Sequence, residues 1–143
     1  MAAYWILKTE PSTYSYDQLE RDGRAVWDGV SNPLALKHLR AMQPGDEALI
    51  YHTGDEKAVV GLARVTSAAY PDPKARDPKL VVVELKPAKR LKRRVTLAEI
   101  KAESGFQDLA LVRMPRLSVV PTPTAQWKKL LEMADRQPTT DNR

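Results

Sequence analysis

Three groups of side chains in this sequence are fit for chemistry. The first centres on Trp27, which stands directly before an Asp28-Gly29 turn and just ahead of Ser31 and Asn32. An aromatic plane beside short hydroxyl and amide side chains is what a nucleobase pocket requires, because the ring stacks on the base and the polar groups read its edge. A tryptophan taken alone is more often core than site, so the pattern needs a second observation. Trp5 and Trp127 sit on periodic apolar faces and are assigned to the core. The second group is the run KPAKRLKRR, in which Lys86, Lys89, Arg90, Lys92, Arg93 and Arg94 occur with no acidic residue. Such a stripe can contact phosphates and give salt-dependent affinity without sequence preference. It is equally the composition of a solvated strand end or loop, and the run alone does not decide. The third group, Tyr51-His52-Thr53, ends a strand at a turn, a frequent place for site residues. His52 could donate to a ligand carbonyl or phosphate, although a histidine so placed more often satisfies local backbone groups. His38 is expected at the surface of a helix. Glu10, Asp17, Asp28 and Asp46 flank turns or caps, and no pair among them has a spacing that compels an acid/base role.

What is missing narrows the chemistry further. The 143 residues include no cysteine, which excludes disulfides, cysteine zinc sites, iron–sulfur clusters and a thiol nucleophile. Neither a P-loop nor a dinucleotide-binding glycine string occurs, and two histidines are thin material for a metal site or a triad. With 23 Lys+Arg against 18 Asp+Glu the net charge is +5. The start, Met1-Ala2-Ala3-Tyr4-Trp5, lacks the basic and apolar regions of a signal peptide, and no apolar run approaches the ~20 residues of a membrane span. A soluble, intracellular, cytoplasmic protein with no membrane partner is expected. The hydrophobic content of 43% and charged content of 29% are those of a globular chain.

The elements that would position these residues can be read in order. Tyr4 to Lys8 is a strand by its aromatic and β-branched content. Ser15 with Gln18 predicts a capped helix that ends at Gly23, and Ala25 to Trp27 a brief strand. Asn32-Pro33 predicts the start of a helix carrying Leu36, Leu39 and Met42. Ala48 to His52 and Ala58 to Thr66 are strands, the second with Gly61 as a candidate bulge or bend. Tyr70 to Pro78 is expected as an exposed loop and Leu80 to Leu85 as a strand. Thr96 and Glu99 predict a second capping box, with short helical pieces after it. Arg116 to Val120 closes the sheet, and a final helix carries Trp127, Leu130, Leu131 and Ala134 on one stripe. The pattern predicts an α+β domain, a small mixed β-barrel with flanking short helices.

Five blocks, YWILKTEPSTYSYDQLERDG, VWDGVSN, PGDEALIYHTGDEKAVVGLARV, AYPDP and RLSVVP, resemble in that order the EVE domain, from Tyr4 to about Ala134. The resemblance implies a PUA-like fold over residues 1–135, with 136–143 as a disordered tail, and no cofactor. It implies relationship to the YTH and ASCH domains and a role in reading modified nucleobases in DNA or RNA. It assigns Trp27 to an aromatic wall. It assigns Lys8, Thr9 and Ser12 to the pocket side of the first strand. Asn32, Tyr51, His52, Thr53, Arg116 and Ser118 match further family positions. Many relatives read WDGVRNYQARN, so Ser31 replaces an arginine and Pro33 a tyrosine-type residue. The lost arginine would have served phosphate or base-edge contact. The expectation is a monomeric nucleic-acid-binding module that is not an enzyme and holds no metal. A base extruded from single-stranded or distorted nucleic acid would stack on Trp27, with Asn32, Ser31 and Thr9 at its edge. Lys8, Arg116 and the basic run would meet phosphates. The alternatives are an enzyme using His52, Asp28 or Lys8 as acid or base, and a metabolite-binding adaptor.

Overall fold

Residues 2–136 are described by a computed structural model. In chain order these residues form β1 (Tyr4–Thr9), α1 (Tyr16–Asp22), β2 (Ala25–Trp27), α2 (Pro33–Ala41), β3 (Glu47–His52) and β4 (Ala58–Val65). There follow β5 (Tyr70–Pro71), β6 (Val81–Thr96), α3 (Leu97–Ala102), α4 (Ala110–Arg113), β7 (Val119–Pro121) and α5 (Thr124–Asp135). The strands make one mixed sheet in the order β2-β6-β4-β3-β1-β7, with β5 paired to β6 off that path. β1 runs parallel to β3, and the other pairings are antiparallel.

Local signals account for the helix starts. The Ser15 side chain accepts from the Gln18 amide, and Gly23 closes α1 in the left-handed conformation at φ 73°. Asn32 Oδ1 accepts from the amides of Leu34 and Ala35, with Pro33 in the first turn of α2. Thr96 and Glu99 form a complete capping box on α3.

Bulges account for the curl of the sheet. β4 and β6 slip register between Val59 and Gly61, and again between Leu62 and Ala63. At the second slip Ala63 faces Pro87, which has no N–H to give the ladder. Each bulge bends and twists its strand. The sheet therefore wraps into a half-barrel with the short helices against it. At Gly61 the ring of Tyr16, brought in by α1, lies where a Cβ would stand, and the Tyr16 hydroxyl donates to the Leu62 carbonyl at 2.7 Å. Gly61→Ala is expected to force this ring out of place and to cost about 1–3 kcal/mol, read as a lowered urea midpoint. An unchanged midpoint would mean that α1 shifts freely on the sheet.

A second anchor holds the start of β1. Asp46, only 3% exposed, accepts from the Ala3 amide, the Trp5 indole Nε1 and the Gln43 amide, each at 3.0 Å. Trp5 and Trp127 are both buried, and Trp127 stacks on Tyr4 with centroids 4.6 Å apart.

Several boundaries differ from the sequence expectations. The strand expected over Leu80–Leu85 continues to Thr96 and carries the whole basic run with it, because ladder bonds to β4 are backbone bonds indifferent to outward charge. β7 begins at Val119 rather than Arg116. The Leu117 amide turns back to the Met114 carbonyl around Pro115, so Arg116 lies in that turn. The loop expected over Tyr70–Pro78 opens with the two-residue β5, whose Tyr70 hydroxyl donates to Glu84. Met133, not Leu131, completes the buried face of α5. His38 is half-buried, its ring 6.0 Å from that of Trp5. Residues 137–143 of the expected tail lie outside the described residues. No helix among those described is long and apolar enough to cross a membrane.

Candidate functional site

A cavity of about 650 Å³ opens where the curl brings the ends of the sheet together. One wall is the end of β2 with the Asp28-Gly29-Val30 turn. The opposite wall is Lys8 and Thr9 at the end of β1, with Ser118 leading into β7. The link between β1 and α1 supplies the third side through Glu10, Thr13 and Tyr14.

The aromatic part of the cavity is a corner. Trp27 is 7% exposed, and the Tyr14 ring meets it edge-on with centroids 6.2 Å apart at 83°. Tyr14 is pinned from two directions. Its carbonyl accepts from the Thr9 hydroxyl at 2.7 Å, and its own hydroxyl donates to Asp22 at 2.8 Å. Burial, and after it the bond to Asp22, push the Tyr14 hydroxyl up to about 12, so the ring stays neutral under physiological conditions. Asp22 is held low in turn by hydrogen bonds from Tyr14 and Gln18. The Gly29 backbone takes φ 79°, a left-handed value that glycine adopts without strain and that swings the chain sharply away behind Trp27.

Lys8 is the cation inside this frame. Its ammonium donates to the Pro115 carbonyl at 2.8 Å and lies 5.6 Å from the centroid of the buried Tyr51 ring. It makes no ion pair with any carboxylate among the described residues, and burial lowers its pKa from the ordinary lysine value. Arg24, at the far side, stands 3.9 Å from Glu84.

Of the residues singled out in the sequence, Lys8, Thr9, Glu10, Trp27, Asp28 and Ser118 line this cavity. Asn32 and Arg116 line a separate hollow of about 340 Å³, whose Pro115 accepts from Lys8 of the first. Asn32 Oδ1 is committed to capping α2, so only its amide nitrogen is free. Ser31 is exposed and lines neither. Ser12 bonds Glu10 through both its amide and its hydroxyl, which holds the Glu10 carboxyl below its ordinary range. Tyr51 is core. Thr53 bonds the Thr9 carbonyl. His52 accepts from the Tyr16 amide at Nε2 (3.0 Å) and meets Glu56 at Nδ1 (2.8 Å). Both ring nitrogens are spent on the scaffold, and His52 does not line the cavity. The basic run runs along β4, past the Ala25 end of β2, and none of it lines the cavity. Arg90 pairs with Asp17 and Glu20, Arg93 with Glu99, and Arg94 with Glu56. Lys86, Lys89 and Lys92 make no ion pair among the described residues.

The EVE domain model matches residues 3–133. The chain belongs to the EVE domain family. Rpa0253 from Rhodopseudomonas palustris, solved by NMR, is 43% identical with a TM-score of 0.88, and the match covers 93% of each chain. The human THYN1 protein, crystallised in complex with 5-methylcytosine-containing DNA, is 26% identical with a TM-score of 0.88, covering 96% of this chain and 100% of that one. Thymocyte nuclear protein 1 of Mus musculus is 29% identical over 97% of this chain and 76% of its own length.

Within this EVE domain the cavity also recruits residues that sequence reasoning passed over. Tyr14 was open to notice as an aromatic in a short polar link, claimed by neither a strand nor a helix period. Asp22 and Arg24 flank the Gly23 stop of α1, and nothing local marks them as facing β1 across the curl. The family departure at Pro33 falls on the first turn of α2, where proline fits the helix.

Proposed function

We propose that this EVE domain binds nucleic acid and reads a modified nucleobase in the Trp27–Tyr14 corner, 5-methylcytosine being the first base to test. The observation that carries the reading is the joining, in one cavity, of an aromatic corner and a lysine with no carboxylate partner. The ligand named for the human relative agrees with it. An extruded base lies against the rings, a contact worth about 1–3 kcal/mol per base in single-strand binders. A methyl group on that base fills apolar space beside Val30, and discrimination resting on one methyl falls in the range of about 10–200-fold. The Lys8 ammonium, half-desolvated, meets a phosphate that restores its charge balance. Lys86, Lys89 and Lys92 add attraction without sequence preference, while the three arginines of the run serve the protein's own carboxylates.

Tryptophan fluorescence quenching by short single- and double-stranded oligonucleotides, with or without one 5-methylcytosine and at two salt concentrations, tests the reading. The wild type is expected to prefer the methylated form, and Tyr14→Ala, which removes a half-buried wall, to lose that preference with retention of weak salt-sensitive binding. Equal binding of both forms by the wild type would refute base reading. Lys8→Met is expected to weaken both forms alike and to lower the slope of log K against log salt by about 0.7 for single strands and 0.9 for duplex. An unchanged slope would remove Lys8 from the phosphate contacts.

A further inference from the structure

Three carboxylates line the cavity, and two of them are satisfied by the protein. Asp22 accepts from Tyr14 through Oδ2 and from Gln18 through Oδ1. Glu10 accepts twice from Ser12 through Oε2, while its Oε1 lies against Gly54. Asp28 differs. It follows Trp27 directly, lines the cavity, is exposed, and makes neither a hydrogen bond nor an ion pair among the described residues. An ionised carboxylate only accepts, and beside a polyanion it opposes binding unless a donor on the ligand meets it.

The Thr9 hydroxyl is given to the Tyr14 carbonyl and the Tyr14 hydroxyl to Asp22, so neither is free to donate to a base. Lys8 keeps donors beyond its bond to Pro115, and Ser118 keeps its hydroxyl. The cavity therefore offers one carboxylate without a protein partner, Asp28 after β2, together with free donors on Lys8, Ser118, Thr13 and Arg24. We infer that Asp28 selects the aminopyrimidine edge: it accepts from the exocyclic amino group of a cytosine-class base, while Ser118 donates toward the ring carbonyl. This rests on the cavity being a base site. Its consequence is discrimination that methyl recognition cannot supply. Thymine carries the same 5-methyl group as 5-methylcytosine, so apolar contact with that methyl treats the two alike. Thymine, however, presents an oxygen where cytosine presents an amino group. Asp28 repels that oxygen.

The experiment uses single-stranded oligonucleotides identical except for one position, occupied by cytosine, 5-methylcytosine, thymine or uracil, so that base-pair stability does not enter. Wild type is expected to bind 5-methylcytosine more tightly than thymine by about 10–100-fold, the range of a hydrogen bond to a charged group. Asp28→Asn, whose amide can donate to the thymine oxygen, is expected to weaken both cytosine forms and bring them within a few-fold of thymine. The ratio of methylated to plain cytosine stays. Asp28→Ala, which has neither donor nor acceptor, should also level amino and keto bases. A wild type that prefers 5-methylcytosine to cytosine yet binds thymine as well, or variants that keep the full preference over thymine, would overturn the role of Asp28 and leave base reading standing. A wild type indifferent to all four would overturn base reading, and this inference with it.

Discussion

Trp27→Ala is expected to lose stability and base preference together. The indole is 7% exposed, its backbone pairs with Val83 across β6, and it supports the edge of Tyr14. Truncating a buried aromatic costs about 3–5 kcal/mol, a large part of the 5–15 kcal/mol that holds an ordinary domain. The urea midpoint should fall steeply, and binding measured well below it should retain only the salt-sensitive component. Trp27→Phe separates the two effects, since it keeps an aromatic face and most of the buried volume. It is expected to fold and to keep a reduced preference for the modified base. A folded Trp27→Ala protein with the full preference would place the base elsewhere.

Asp46→Ala should weaken the fold and leave the site unharmed. The substitution strands three donors, the amides of Ala3 and Gln43 and the Trp5 indole, in surroundings where the carboxylate itself is 3% exposed. An unsatisfied buried donor costs about 1–3 kcal/mol, and only the Trp5 bond is fully buried, so a loss of about 2–3 kcal/mol is expected. Asp46 lies at the Tyr4 end of β1 and the cavity at the Thr9 end, about 17–20 Å away at the rise of a strand. The variant should therefore denature at lower urea yet bind oligonucleotides normally while folded. A changed base preference in the folded variant would mean that the two ends of β1 are coupled. Asp46→Asn, which retains one acceptor oxygen, is expected to fall between.

What was legible in the sequence was local. Ser15 with Gln18, Asn32 with Pro33, and Thr96 with Glu99 each fix a helix start within four residues, and the structure places α1, α2 and α3 on those caps. Gly61 interrupted an alternating strand and lies at a register slip. What depended on distant partners was not legible. Pro87 and the charges after it hid the continuation of β6, because strand pairing there is dictated by β4. The six basic residues looked alike, yet Arg90 is held by Asp17 and Glu20 from α1, across separations of 73 and 70 residues. Asn32 was read both as a cap and as a base contact. Its amide oxygen serves the cap, and its amide nitrogen stays free. Tyr14 joins Trp27 only because the sheet curls, which is a property of the bulges and not of the segment around Tyr14.

The central claim, a base held against Trp27 and Tyr14, is tested most directly by the three indole N–H resonances in a titration with an oligonucleotide carrying one 5-methylcytosine. Trp5 and Trp127 serve as internal controls, the first hydrogen-bonded to Asp46 and the second stacked on Tyr4. A base in the cavity predicts a saturable shift of the Trp27 signal, larger for the methylated than for the plain oligonucleotide, with the other two nearly still. A stationary Trp27 signal at saturation, with shifts confined to the β6 lysines, would contradict it.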